Sequence, residues 1–259
     1  MEWYIILAVI AIGFIAGFMN TMAGGGSLLT LPMLIFLGVP ATIANGINRI
    51  PLILQNIVAV GSFKQQKVLP FKKGIFLTIP AVVGAIIGAQ IAANLNEDIL
   101  EKIIGFLLVF MFFIILYRPE KWLKSYSSTE ELVHKPSIWQ ILIFLVIGFY
   151  GGFIQAGVGF FLLGALVLGS GLDLLRSNAI KVLIILIYNI FALSVFALNG
   201  LISDPRYILY GLLLAVGNMT GAYLATRVAL SWGPRFIRWV LLLAVLASSL
   251  KLLGVFELL

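Results

Sequence analysis

The chain has no cysteine, a single histidine (His134), and charged side chains at only 10% of its 259 positions. Without thiols there can be no disulfide, no thiolate nucleophile and no thiolate metal site. One imidazole in the most polar stretch builds neither a metal centre nor a nucleophile–base pair, so an intramembrane hydrolase is not expected, and no enzyme, cofactor or metal is assigned. Acids are scarcer than bases, 10 against 17, and each acid lies at the end of an apolar run or in a loop. That placement excludes a buried carboxylate cage for sodium or divalent cations, and an Asp/Glu proton relay. The alternation of a barrel wall is missing as well.

What remains is apolar: 62% of the chain, with a mean hydropathy of +1.13. Soluble domains sit near half apolar and a quarter charged. A soluble enzyme, a nucleic-acid binder and a disordered tail are therefore excluded. The 26 glycines and 19 phenylalanines suit packed transmembrane helices. The net charge of +7 fits cytoplasmic loops facing anionic lipid. The sequence describes an integral membrane protein of the all-α, polytopic class.

A crossing needs about 20 apolar residues. Tyr4–Met22, preceded by no basic residue, is expected to be a retained span and not a cleaved signal. Ser27–Leu37 is short; Thr42–Phe63, Lys73–Leu95 and Ile99–Tyr117 follow. The polar stretch Arg118–Ser137 divides the chain into a first repeat (1–117), a linker (118–137) and a second repeat (138–259). Beyond it lie Ile138–Ala156, a short Val158–Leu172, Leu174–Asn199, Tyr207–Ala229 and Phe236–Phe256. Each half thus has about five helical segments, the second one short.

The halves also match in letters. Gly13-Phe14-Ile15-Ala16-Gly17-Phe18 corresponds to Gly148-Phe149-Tyr150-Gly151-Gly152-Phe153, and Asn45, Ile47, Asn56 and Ile57 to Asn178, Ile180, Asn189 and Ile190. Gly84, Gly88 and Ala89 correspond to Gly217, Gly221 and Ala222. Three blocks in order at a nearly constant offset point to duplication, a frequent transporter construction. Cytoplasmic loops concentrate Lys and Arg. The loop Lys64–Lys73 with its four lysines, the central linker, and Arg227–Arg238 should all face inward. This holds only if the two repeats are inverted and both termini lie outside.

Two bases sit inside apolar spans without an acid nearby. Arg49 and Lys181 each lie about two helical turns into their segments. A bundle holding two such cations suits an anion; the competing expectation is that both snorkel to the interface along their apolar stems. At 100° per residue, Asn45, Arg49 and Asn56 fall within about 40° of one another, and Asn178 shares a face with Asn189, about 60° from Lys181. Amides beside a cation offer several donors to an oxyanion, although amides also serve as interhelical glue. Pro51 frees the Ile47 carbonyl, so the helix should bend beside Asn48 and Arg49. Gly24-Gly25-Gly26-Ser27 and Gln155-Ala156-Gly157-Val158-Gly159 interrupt apolar runs. Irregular backbone at membrane depth is tolerated where it lines a cavity or is buried in protein. The short helix after each break would aim its N-terminal amides at the break.

These residues resemble the sulfite exporter TauE/SafE family. The resemblance is carried by Gly13 to Pro32 (GFIAGFMNTMAGGGSLLTLP), by Gly38-Val39-Pro40 and Ile47-Asn48-Arg49, and in the second half by Gly148–Phe153, Gly157-Val158-Gly159 and Ala179-Ile180-Lys181. It implies transport of sulfur-containing oxyanions or organosulfonates, with basic residues where Arg49 and Lys181 stand. Members often carry an acid where Asn20 and Gly151 are found here, so proton coupling through those positions is not expected.

The expectation is therefore a transporter of a small anion working by alternating access. Its anion would lie between the two breaks, against Asn20, Gly25, Gly26, Ser27, Asn45, Asn48, Arg49, Gln155, Gly157, Gly159, Asn178 and Lys181. The expected partners are the anionic substrate, the lipid bilayer and, as one option, a second copy of the chain; nucleic acid is not among them. A non-transporting membrane scaffold, or a carrier of carboxylate-type anions, is the competing reading.

Overall fold

The computed structural model describes residues 2–22, 24–116, 137–170 and 172–228. The segment expected at Phe236–Phe256, the arginines Arg235 and Arg238, His134 and all of the linker except Ser137 lie outside the described residues. Among those described, ten helices and no strand are found. They are α1 (Trp3–Met22), α2 (Ser27–Phe36), α3 (Ala41–Ile47), α4 (Arg49–Gln65), α5 (Phe71–Ala93), α6 (Glu97–Leu116), α7 (Ile138–Phe153), α8 (Val158–Ser170), α9 (Leu174–Leu198) and α10 (Pro205–Val228). Among the described residues, five stretches are long and apolar enough to cross a bilayer: Trp3–Met22, Ala41–Gln65, Phe71–Ala93, Leu174–Leu198 and Pro205–Arg227.

Two expected boundaries move for physical reasons. The run expected over Thr42–Phe63 is divided, because the helix lapses at Asn48, where Pro51 has no N–H for the Ile47 carbonyl. The segment expected to reach Ala156 stops at Phe153, since Gln155 takes a left-handed conformation (φ 67°) that no helix continues.

Bulky side chains face outward and small ones inward, the reverse of a soluble helix. On α5, Phe76, Ile79, Val83 and Ile87 are exposed, while Ala81, Gly84, Ala85, Gly88 and Ala89 are buried. Association without a hydrophobic driving force relies on such close approach. Four Gly-x-x-x-Gly pairs provide it. Gly13 and Gly17 of α1 lie against Leu214 and Asn218 of α10, whose own Gly217 and Gly221 lie against residues 10–18 of α1. Gly148 and Gly152 of α7 lie against Ala81 and Ala85 of α5, and Gly84 and Gly88 of α5 against residues 145–153 of α7. At each of these eight positions a Cβ would overlap the backbone opposite.

The order of these contacts gives directions. In both pairs, numbers rise together, so α1 runs parallel to α10 and α5 parallel to α7. Gln55 meets Asn218 (3.1 Å) and Ser62 meets Thr226 (2.7 Å), which makes α4 parallel to α10. Gly74 lies beside Leu183, and Ala89 and Ala92 lie with Ala192 and Phe196, so α5 is parallel to α9. Arg49 reaches Asn189 while Ala59 and Phe63 pack with Ala179 and Val182, so α4 and α9 are antiparallel. After α1 the chain doubles back. Gly24 N donates to the Met19 carbonyl (3.1 Å), and Gly26 is pressed against Ala16, which starts α2 back along the helix it has just left.

Candidate functional site

The two breaks meet each other. Gly24, with φ +91°, stands against Gly159 so closely that neither could carry a side chain without overlapping the other's backbone. Ser27 Oγ donates to the Gln155 carbonyl (3.3 Å) and accepts from Gly157 N (3.1 Å). One loop thus satisfies the irregular backbone of the other, as depth in a bilayer requires.

A helix that ends inside protein leaves carbonyls without intrahelical partners. Here they are served by the opposite half. Lys181 of α9 donates through Nζ to the carbonyls of Asn20 (2.9 Å) and Thr21 (3.4 Å) at the end of α1, and Asn178 Nδ2 donates to Thr21 O (2.7 Å). Arg49 of α4 donates to the carbonyls of Gly151 (3.2 Å) and Gly152 at the end of α7, and Asn45 Nδ2 donates to Phe153 O (2.7 Å). Arg49 further reaches Gln155 Oε1 (3.2 Å), Asn189 Oδ1 (3.0 Å) and Asn45 Oδ1 (3.5 Å), with its guanidinium over the Phe196 ring. Both cations are wholly buried, so neither snorkels.

These contacts leave the region positive. Each helix C-terminus offers about half a negative charge to a full positive one, so about one positive unit is left over. The N-termini of α2 and α8 each add about half a unit more. Among the described residues no acid forms a salt bridge with either cation.

Beside the crossing of the breaks is a cavity of about 10 Å³, lined by Asn20, Gly24, Ser27, Leu52, Gln55, Asn56, Gln155, Val158 and Ile185. That volume admits about one water. Ser27 N donates to Asn20 Oδ1 (3.2 Å), and Asn20 Nδ2 donates to Gln55 Oε1 (3.3 Å). Asn56 Nδ2 is tied to the Leu52 carbonyl (2.7 Å), and its Oδ1 is buried with no partner among the described residues.

Of the residues expected at the site, Asn20, Ser27 and Gln155 line this cavity. Gly157 and Gly159 hold the second break against the first. Gly25 and Gly26 are buried at the start of α2 without lining the space; Gly24 lines it in their place. Asn45, Arg49, Asn178 and Lys181 stand one layer back, on the carbonyls. Asn48 is buried at the lapse between α3 and α4. Sequence reasoning passed over Gln55, whose signal was a second amide beside Asn56 in the middle of an apolar span.

Comparison with known proteins places this geometry. The chain is 26% identical over 255 residues to a probable membrane transporter protein (ORF9) of Sinorhizobium sp, covering 98% of this chain and 94% of the relative. It is 24% identical over 227 residues to a probable membrane transporter protein of Haemophilus influenzae (88% and 86% covered). It is 27% identical over 264 residues to a probable membrane transporter protein, YjnA, of Bacillus subtilis (95% and 99% covered). No solved structure matches. The model of the sulfite exporter TauE/SafE family matches residues 9–252, and this chain, with its paired glycine breaks inside a helical membrane bundle, belongs to that family of membrane transporters.

Proposed function

We propose that this membrane transporter carries a small anion of the sulfur-oxyanion or organosulfonate class by alternating access, binding it between the two glycine breaks. The observation that carries the reading is the surplus of positive charge at their crossing, made by Arg49, Lys181 and the N-termini of α2 and α8, with no acid among the described residues bonded to either cation. An anion completes that electrostatic arrangement; a cation would be repelled by it. The space beside the crossing admits about one water as it stands, so it has to widen for the anion to meet the amides of Asn20, Gln55, Asn56 and Gln155 directly. Arg49 and Lys181 act from one layer behind, by charge, while holding the two helix ends.

The helix directions support an inverted duplication. With α1, α4 and α10 running one way and α5, α7 and α9 the other, α1, α4 and α5 oppose their counterparts α7, α9 and α10. In such an arrangement, rocking of one repeat on the other moves access from side to side around a fixed site. The charges support an orientation. Lys64, Lys67, Lys72, Lys73 and Arg227 gather at one end of the bundle, and Glu97, Asp98, Glu101 and Asp204 at the other. The basic end is cytoplasmic by the positive-inside rule, which places the start of α1 outside and the linker inside.

The test is a thermal-unfolding panel on purified protein with sulfite, sulfate, taurine, sulfoacetate and acetate. A ligand at about one hundred times its Kd stabilises by about 2.7 kcal/mol. An upward shift with at least one sulfur oxyanion, and none with acetate, is expected. A panel without any shift refutes this class of cargo.

A further inference from the structure

The donor and acceptor tally of the cavity goes one step further, resting on the anion reading above. Three of its amides have orientations fixed by partners that cannot exchange roles. Gln155 Oε1 faces the Arg49 guanidinium (3.2 Å), a group that only donates, so Nε2 is the atom Gln155 has left. Asn56 Nδ2 faces the Leu52 carbonyl (2.7 Å), which only accepts, so Oδ1 is the atom Asn56 has left. Asn20 Oδ1 takes the amide N–H of Ser27 (3.2 Å), which directs its Nδ2 to Gln55. Asn218, once its amide is turned, meets the Leu214 and Gly13 carbonyls through nitrogen and sets its oxygen against Gln55 Oε1, so Gln55 is left out of the tally.

The site therefore offers an amide donor from Gln155 and a buried amide acceptor from Asn56 that nothing in the described residues satisfies. The second half shows what is missing. Asn189 donates to the Ile185 carbonyl (2.9 Å) just as Asn56 donates to Leu52, yet its Oδ1 is filled by Arg49 (3.0 Å). The cation of the other half, Lys181, is spent on the Asn20 and Thr21 carbonyls and leaves Asn56 unserved. A purely acceptor anion, such as sulfate or a simple alkylsulfonate, would set its oxygens against the oxygen of Asn56.

We infer that the cargo is bound as a singly protonated oxyanion, which accepts from Gln155 Nε2 through a charged oxygen and donates its own O–H to Asn56 Oδ1. Asn56 is the specificity-determining residue: it reads the proton of the cargo. The central atom is left open by this geometry, and two isosteric pairs isolate the O–H from everything else. Hydrogensulfite and methanesulfinate differ by hydroxyl against methyl, as do hydrogencarbonate and acetate.

The experiment measures Kd for all four anions on the full-length protein in detergent. The hydroxyl member of a pair is expected to bind at least tenfold more tightly than its methyl counterpart, since a buried acceptor left unpaired costs about that factor or more. In Asn56→Leu the ratio should fall close to one; if that variant is not recovered folded, Asn56→Ala replaces it. Equal affinities within both pairs in the unsubstituted protein would overturn the inference, showing that a water serves Asn56, while leaving the anion reading standing. A tenfold preference that survives both substitutions would overturn the role of Asn56. Binding of none of the four, with no sulfur oxyanion stabilising the protein either, removes the anion reading and this inference with it.

Discussion

Lys181 and Arg49 differ in length and shape, yet each crosses from its own half to the frayed end of a helix in the other. A buried cation held by neutral carbonyls contributes twice: it meets the backbone's unpaired acceptors, and it opposes the negative end of the helix dipole. Lys181→Met keeps the stem and removes both effects. The carbonyls of Asn20 and Thr21 would lose the ammonium, at about 1–3 kcal/mol for each carbonyl left without any donor. Thermal unfolding in detergent should show the loss, and any stabilisation by anions should vanish with it. A Met variant as stable as the parent would mean that water replaces the ammonium. The presence and depth of both cations were legible in the sequence, because a charge two turns into an apolar run stands out. Their partners were not. A carbonyl carries no letter, and which carbonyl lies within reach is decided by how the two halves interlock.

At the scale of the helix, the glycines divide into those that touch and those that do not. Gly17 of α1 is pressed on Asn218 of α10, and a Cβ there would overlap backbone that cannot yield. Gly61 of α4 faces open space, with nothing within 4 Å of the same added atom. Gly17→Ala should therefore separate α1 from α10 and yield little folded protein. Gly61→Ala should be neutral or raise stability by up to about 1 kcal/mol, as expected for relieving glycine within a helix. The pair can be compared by size-exclusion profile and melting temperature in one detergent. Helix existence was readable from apolar runs, and the lapse at Asn48 from Pro51. The early end of α7 was not, because the left-handed turn at Gln155 is made by a residue with no glycine-like preference, held there by contact with the first break.

Among the described residues, net charge is sorted by end. Absence of cysteine from the entire chain makes this testable without a background to remove. A single cysteine at Lys67, in the turn after α4, should react with an impermeant maleimide only from the cytoplasmic side, and one at Ser203, before α10, only from outside. Labelling of both from the same side would contradict the inverted arrangement.

Gly24 of the first break and Gly159 at the start of α8 touch one another, so the two halves meet at their breaks. The chain divides its stabilising surfaces between the two halves, because α1 finds its groove on α10 and α5 finds its groove on α7. Each half made separately should accordingly be degraded, whereas the two made together from a gene severed after residue 125 should reassemble and protect one another from proteolysis.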